Sequence, residues 1–162
     1  MYHYAKKGNT ILQDGLLGIK KSGRSLRPYI HRAGSDNPED VYRWLESTFA
    51  GRSNSISCLT EKIVWQNHDP VLKAIVENSE LFSFDVECLV KDQIVTAIWC
   101  KESSSAGGYN EVFRKVELKD VDLTPLTWER CDSKADLLFG AVRHYLLVLK
   151  DGYIPPKYLQ KE

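Results

Sequence analysis

No run of the chain approaches the ~20 consecutive apolar residues that a membrane-spanning helix needs. The first residues, Met1-Tyr2-His3-Tyr4, lack the basic stretch and apolar core of a secretory leader. The expectation is a soluble protein of the cytoplasm, or one delivered into a target cell by an injection machine. Net charge is also missing, since 22 basic side chains balance 22 acidic ones. Nothing general therefore draws the chain to nucleic acid or to a membrane, although a local basic patch stays open. The four cysteines, Cys58, Cys88, Cys100 and Cys131, include no Cys-x-x-Cys pair. That spacing argues against a zinc site and no metal is expected; reduced, structural thiols are. There is no internal repeat and no linker.

What the chain does contain is enough apolar material for a core. Hydrophobic residues make up 43% of its 162 positions, including four Trp, eight Tyr and five Phe. One domain over residues 1–162 follows. Tyr2 to Ala5 reads as a strand. Asn9 and Thr10 cap a short helix through Leu12 that ends at Gly15, and residues 16–36 read as a loop rich in Lys and Arg. Asn37-Pro38-Glu39-Asp40 opens a helix that Gly51 stops. A strand is expected over Ile56 to Thr60. Asp69-Pro70 starts another helix, with Val71, Leu72, Ile75 and Val76 inward. Residues 81–90 alternate like a strand, and Lys91-Asp92-Gln93 would turn them into a hairpin partner at Ile94 to Cys100. A further strand is expected from Tyr109 to Leu118. A last buried helix is expected from Ser133 to about Lys150. The sum is an α+β domain with antiparallel strands and about four helices.

Three constellations carry candidate chemistry. In Tyr2-His3-Tyr4, an imidazole between aromatic rings can bond a sugar hydroxyl while a ring stacks on a heterocycle; alone, it reads more simply as a surface His between packing tyrosines. The segment Gly51-Arg52-Ser53-Asn54-Ser55-Ile56-Ser57-Cys58-Leu59-Thr60-Glu61 can line a cleft, with Arg52 on a phosphate, or can be an ordinary entry into a strand. Gly107-Gly108-Tyr109-Asn110-Glu111 puts an acid at the start of a strand, after a glycine-rich loop. A carboxylate there can bond a ribose hydroxyl and stabilise positive charge on the sugar, or simply be solvated. Glu61, Glu87 and Glu117 compete for that role.

Taken together, aromatic-His-aromatic on a first strand, Ile11-Leu12-x-x-Gly15-Leu16, a Ser-rich middle strand and a late Glu-Val strand resemble the ADP-ribosyltransferase superfamily, most of all its small bacterial and phage toxin-type members. The likeness covers about residues 1–126 as scattered short motifs. It implies an antiparallel two-sheet core with peripheral helices that binds NAD, as substrate, in a cleft between the sheets. It assigns His3 to the ribose end, Tyr4 to NAD binding beside it, Ser55 and Ser57 to the nicotinamide pocket, Arg52 to a phosphate-binding or conformation-setting role, and Glu111 to catalysis. The expected reaction releases nicotinamide and transfers ADP-ribose to a macromolecular acceptor, protein or nucleic acid, with an antitoxin or immunity protein as a further partner of a toxin. The chain departs from the family pattern in having no Ser-Thr-Ser, in carrying Tyr109 two residues before Glu111, and in carrying Ala5 after the first-strand motif. The first two departures argue against modifiers of protein Arg or Asn side chains. Two other classes stand beside this one. One is a non-catalytic module that binds a partner through Trp44, Trp65 or Trp128. The other is a metal-free nuclease-type toxin using His3, His31, His68 or His144, with Arg24, Arg27 and Arg32 on phosphates.

Overall fold

The computed structural model describes residues 1–23, 26–63, 69–103, 111–123, 131–134, 137 and 142–162. Arg24, Trp65, His68, residues 104–110 and Trp128 lie outside the described residues, as do 135, 136 and 138–141 of the expected last helix.

Seven strands form one sheet: β1 (Tyr2–Lys6), β3 (Ser55–Leu59), β4 (Ser79–Ser83), β5 (Val95–Ser103), β6 (Glu111–Val116), β7 (His144–Leu149) and β9 (Gln160–Lys161), in the order β6-β5-β7-β3-β1-β4-β9. Every pairing among them is antiparallel. Leu16–Leu17 (β2) and Tyr153–Ile154 (β8) make a separate two-stranded ribbon. The expected antiparallel α+β arrangement is thus present. One joint in the sheet is unlike the rest. β1 pairs with β4 along its length, from Tyr2↔Ser83 to Lys6↔Ser79, and β3 pairs with β7 from Ser55↔Val148 to Leu59↔His144. β1 and β3 meet only at Tyr2↔Leu59. The sheet is therefore two limbs, β6-β5-β7-β3 and β1-β4-β9, that fork beyond a single pair.

The main core lies on one face. Ile56 and Cys58 of β3, Leu147 and Leu149 of β7, and Phe82 of β4 pack there with Val86 and Leu89 of α6 (Val86–Lys91) and with Ile154 and Leu16 of the ribbon. Alternation puts Ser55, Ser57, His144, Leu146 and Val148 on the other face. There Leu146, Val148 and Phe49 form a smaller cluster with Trp99 and Phe113.

The helices expected from cap chemistry are present. Asn37 opens α4 (Pro38–Thr48) by accepting from the Glu39 N–H at 2.9 Å, and Asp69 opens α5 (Pro70–Glu77) by accepting from Val71 and Leu72. The first helix is α1 (Ile11–Asp14), closed at Gly15. After α4 the chain turns at Gly51, where φ is +85° and an added Cβ would meet Val148 Cγ1 at 2.4 Å. Only glycine lets the Arg52–Asn54 turn press this closely on β7.

Four expectations are corrected. The alternating segment 81–90 is not one strand. β4 stops at Ser83, and the Asp85 carboxylate accepts from the Glu87 and Cys88 N–H groups to start α6, so Glu87 sits in a helix. The hairpin partners of β5 are accordingly β6 and β7. The last helix does not reach Lys150, because residues 144–149 form β7, in the middle of the sheet. Its Tyr-Leu-Leu-Val-Leu run is buried on both faces, which erases the alternation that marks most strands. Residues 16–36 are not only loop: beside β2 they hold α2 (Ile19–Ser22) and α3 (Arg27–Ala33), closed by left-handed Gly23 and Gly34. Finally, α5 turns Leu72 fully inward but leaves Val71 52% and Ile75 39% exposed. No helix among the described residues is long and apolar enough to cross a membrane.

Candidate functional site

At the fork between β1 and β3 the His3 ring reaches the Ser57 backbone. In a closed sheet the Ser57 carbonyl would find a strand partner. Here it accepts from His3 Nδ1 at 2.8 Å, which puts the ring proton on Nδ1 and holds the imidazole at the mouth of the fork. His3, Ser55 and Ser57 line a cavity of about 240 Å³, walled on its other side by Leu17, Ile19 and Tyr29. Ser55 is buried, and its hydroxyl donates to the Arg52 carbonyl at 2.7 Å. A second hollow of about 250 Å³ adjoins the first, sharing Leu17 and Ser22, and is lined by Asn9, Thr10 and Asp14 around α1.

Ser57 has a partner that sequence reasoning did not bring to it. Its Oγ and His144 Nε2 share a hydrogen bond of 2.7 Å. His144 stands on β7 opposite Leu59, two residues along from the Ser57 pair. Burial, then the Lys101 cation, push its pKa down to about 4, although Glu111 pulls the other way. It is a neutral imidazole at physiological pH. Its Nδ1 is buried without a partner among the described residues. The strand alternation His144-x-Leu146-x-Val148 was the signal that could have placed it on the Ser57 face.

A charged cluster adjoins the cleft. Glu111 starts β6 and its carboxylate meets three cations: Arg32 Nη1 at 2.7 Å and Arg52 Nη2 at 2.8 Å on Oε2, and Lys101 Nζ at 3.0 Å on Oε1. Burial works to raise the Glu111 pKa, but Lys101 and Arg52 outweigh it and hold the carboxyl down to about 2. Arg52 is only 4% exposed. Its Nη1 donates to Thr48, and its guanidinium lies 4.5 Å from the Phe113 ring centre and 5.3 Å from that of Trp44. The Glu46 carboxylate fixes the turn itself, accepting from the Gly51 and Ser53 N–H groups.

The structure therefore brings His3, Ser55 and Ser57 together in one cleft and puts Arg52 and Glu111 in an adjacent cluster. Ser55 ties the two through the Arg52 carbonyl, and His144 ties them through its hydrogen bond to Ser57 and its electrostatic contact with Glu111. Tyr4 is elsewhere. It packs with Leu59 and Leu72, and its hydroxyl accepts from the Ile63 N–H. Of the competing acids, Glu61, Glu87 and Glu117 line neither cavity. No cluster of three or more His, Cys, Asp or Glu side chains suited to a metal occurs among the described residues.

These ionisations predict a two-part acid response. Between pH 6.5 and about 4 the unfolded chain protonates His144 and the folded one does not, so stability falls as pH falls. Between about pH 4.5 and 2 the unfolded chain protonates Glu111 first, and the stability its ion pairs provide is lost in that window. Denaturant melts across pH should show His144→Gln flattening the upper slope and Glu111→Gln the lower. An unchanged upper slope in His144→Gln would contradict a buried neutral imidazole.

Comparison with protein-family models, with curated proteins and with solved structures gave no match.

Proposed function

We propose that the chain is an NAD-consuming ADP-ribosyltransferase, acting as a toxin, an effector or an agent of phage conflict. The observation that carries the reading is the fork: two limbs of antiparallel sheet part after one register pair, and His3, Ser55 and Ser57 line the opening. The core expected of such an enzyme has two sheets; here one seven-stranded sheet stands in their place, and in this reading its two limbs flank the ligand. The adjoining second hollow suits an elongated ligand better than a compact one. In this reading His3, oriented by the Ser57 carbonyl, and the two serines bind the nicotinamide ribose end. The glycosidic bond breaks, nicotinamide leaves with the bonding pair, and Glu111, fully ionised at neutral pH, stabilises the positive charge on the sugar. The acceptor, protein or nucleic acid, then supplies an electron pair and loses a proton.

One observation favours a hydrolase of the nuclease-type class instead, namely the 2.7 Å contact between Ser57 and His144. An imidazole with its pKa at about 4 is a weak base for a serine, and among the described residues no carboxylate orients its Nδ1. The transferase reading is the stronger.

Ligand binding tests it first. Millimolar NAD is expected to raise the melting temperature, because a ligand of the native state stabilises by mass action, by about 2.7 kcal/mol at a hundredfold excess over Kd. His3→Ala should abolish most of that shift. No shift with the native protein, together with ligand responses indifferent to His3→Ala, would favour a partner-binding module.

A further inference from the structure

Three cations converge on one carboxylate at Glu111, which is more positive charge than that group neutralises. Counting Arg32, Arg52 and Lys101 against Glu111 leaves two positive charges, three minus one, and Glu111 is the one acid paired with them among the described residues. The excess is not simply solvated. Arg52 is 4% exposed, Lys101 16% and Arg32 29%. A guanidinium as buried as Arg52 is costly to leave without an anion, since breaking a buried pair strands a charge. Glu111 can therefore swing toward a sugar only if another anion takes its place. Arg32 and Arg52 meet one carboxylate oxygen and Lys101 the other, and planar guanidinium forks suit phosphate.

We propose that Arg32, Arg52 and Lys101 form a binding site for a multiply charged phosphate group, and that this ligand competes with Glu111 for the three cations. Binding the anion releases the carboxylate, so the ligand's own phosphate frees the group that stabilises its sugar. Arg52 is held for this role by Thr48 and its surrounding rings, and Lys101 by its place on β5, where the next facing pair is Ser103↔Glu111. The site itself stands apart from the reaction proposed above. Its assignment to the pyrophosphate of a dinucleotide and the use of the freed Glu111 on a sugar rest on that reading, because the phosphate of a nucleic-acid end offers the same chemistry to the cations.

The sign of one substitution distinguishes competition from ordinary binding. Titration calorimetry with inorganic pyrophosphate should show binding that weakens with added salt. Arg32→Gln and Lys101→Gln should each weaken it roughly tenfold, the scale of losing one partly screened charge. Glu111→Gln should tighten it, again by roughly tenfold, because the internal rival loses its charge. Pyrophosphate affinity unchanged or reduced in Glu111→Gln overturns the proposal, as does failure of the native protein to bind at millimolar concentration. If Glu111→Gln does not fold, the Arg32 and Lys101 variants decide: full affinity in both overturns it. Competition then assigns the source. Displacement of pyrophosphate by NAD points to the dinucleotide, and displacement by a 5′-phosphorylated oligonucleotide but not by NAD points to the acceptor. The second outcome keeps the site while removing the NAD reading.

Discussion

Glu111→Gln is expected to lower nicotinamide release from NAD by ~100-fold or more, the usual scale for removing one electrostatic or acid–base contribution at a reacting centre. The substitution keeps shape and most hydrogen bonds and deletes the charge. A carboxyl held at about pKa 2 is ionised at any working pH, so its part is to face developing positive charge rather than to donate a proton. Because glutamine also stops competing for the cations, KM should stay level or fall while kcat collapses. Glu61→Gln, Glu87→Gln and Glu117→Gln should each keep most activity. Label transfer from NAD with the four variants is the measurement. Full activity in the Glu111 variant, or an equal loss in Glu117→Gln, would show that another carboxylate does the work.

Arg52→Ala is expected to produce the largest loss of stability among the site residues, about 2–4 kcal/mol, toward the lower end of what breaking a buried charge pair costs because Glu111 keeps two other cations. For a chain of this size that is a fall of roughly 5–15 °C in Tm. Three contributions are lost together: the pair with Glu111, the bond to Thr48, and the stacking and packing of the guanidinium and its stem among Phe113, Trp44 and Phe49. Arg52→Met restores the stem without the charge and should recover part of the loss. Arg32→Gln, at a site 29% exposed, should cost no more than about 1 kcal/mol. An Arg52→Ala melt within about 0.5 kcal/mol of the native protein, the range of ordinary surface substitutions, would mean that the turn and β6 hold themselves.

Local chemistry was readable and long-range register was not. Asn37-Pro38 and Asp69-Pro70 announce helices because a cap is decided within four residues. Phe82, Phe84 and Val86 alternate as a strand would, but the Asp85 side chain competes for the N–H groups that follow it and wins, so the chain turns into α6. At β7 the run Leu146-Leu147-Val148-Leu149 has apolar neighbours on both faces, and such a run carries no period to separate helix from strand. The candidate site divides the same way. His3, Ser55 and Ser57 stand out by residue type and order. Lys101 carries no such mark, and His144 stands in the sequence only as one of four histidines of the nuclease-type reading, without a partner; their places beside Glu111 and Ser57 follow from the β5–β6 and β3–β7 registers, set by packing far along the chain.

The position of β7 also governs when the molecule can assemble during synthesis. It enters between β5 and β3 although both are made earlier, and the Ser57–His144 bond spans 87 residues. At ribosomal rates of ~5–20 residues per second, β3 waits roughly 4–17 s for its neighbour. Until then β3 and β5 expose unpaired edges and apolar faces, a state that loop closure makes slow to leave and that invites pairing with other chains. Without β7 nothing joins β5 and β6, which carry Lys101 and Glu111, to β3, which carries Ser55 and Ser57, so the site is complete only after residues 144–149 have cleared the ribosome.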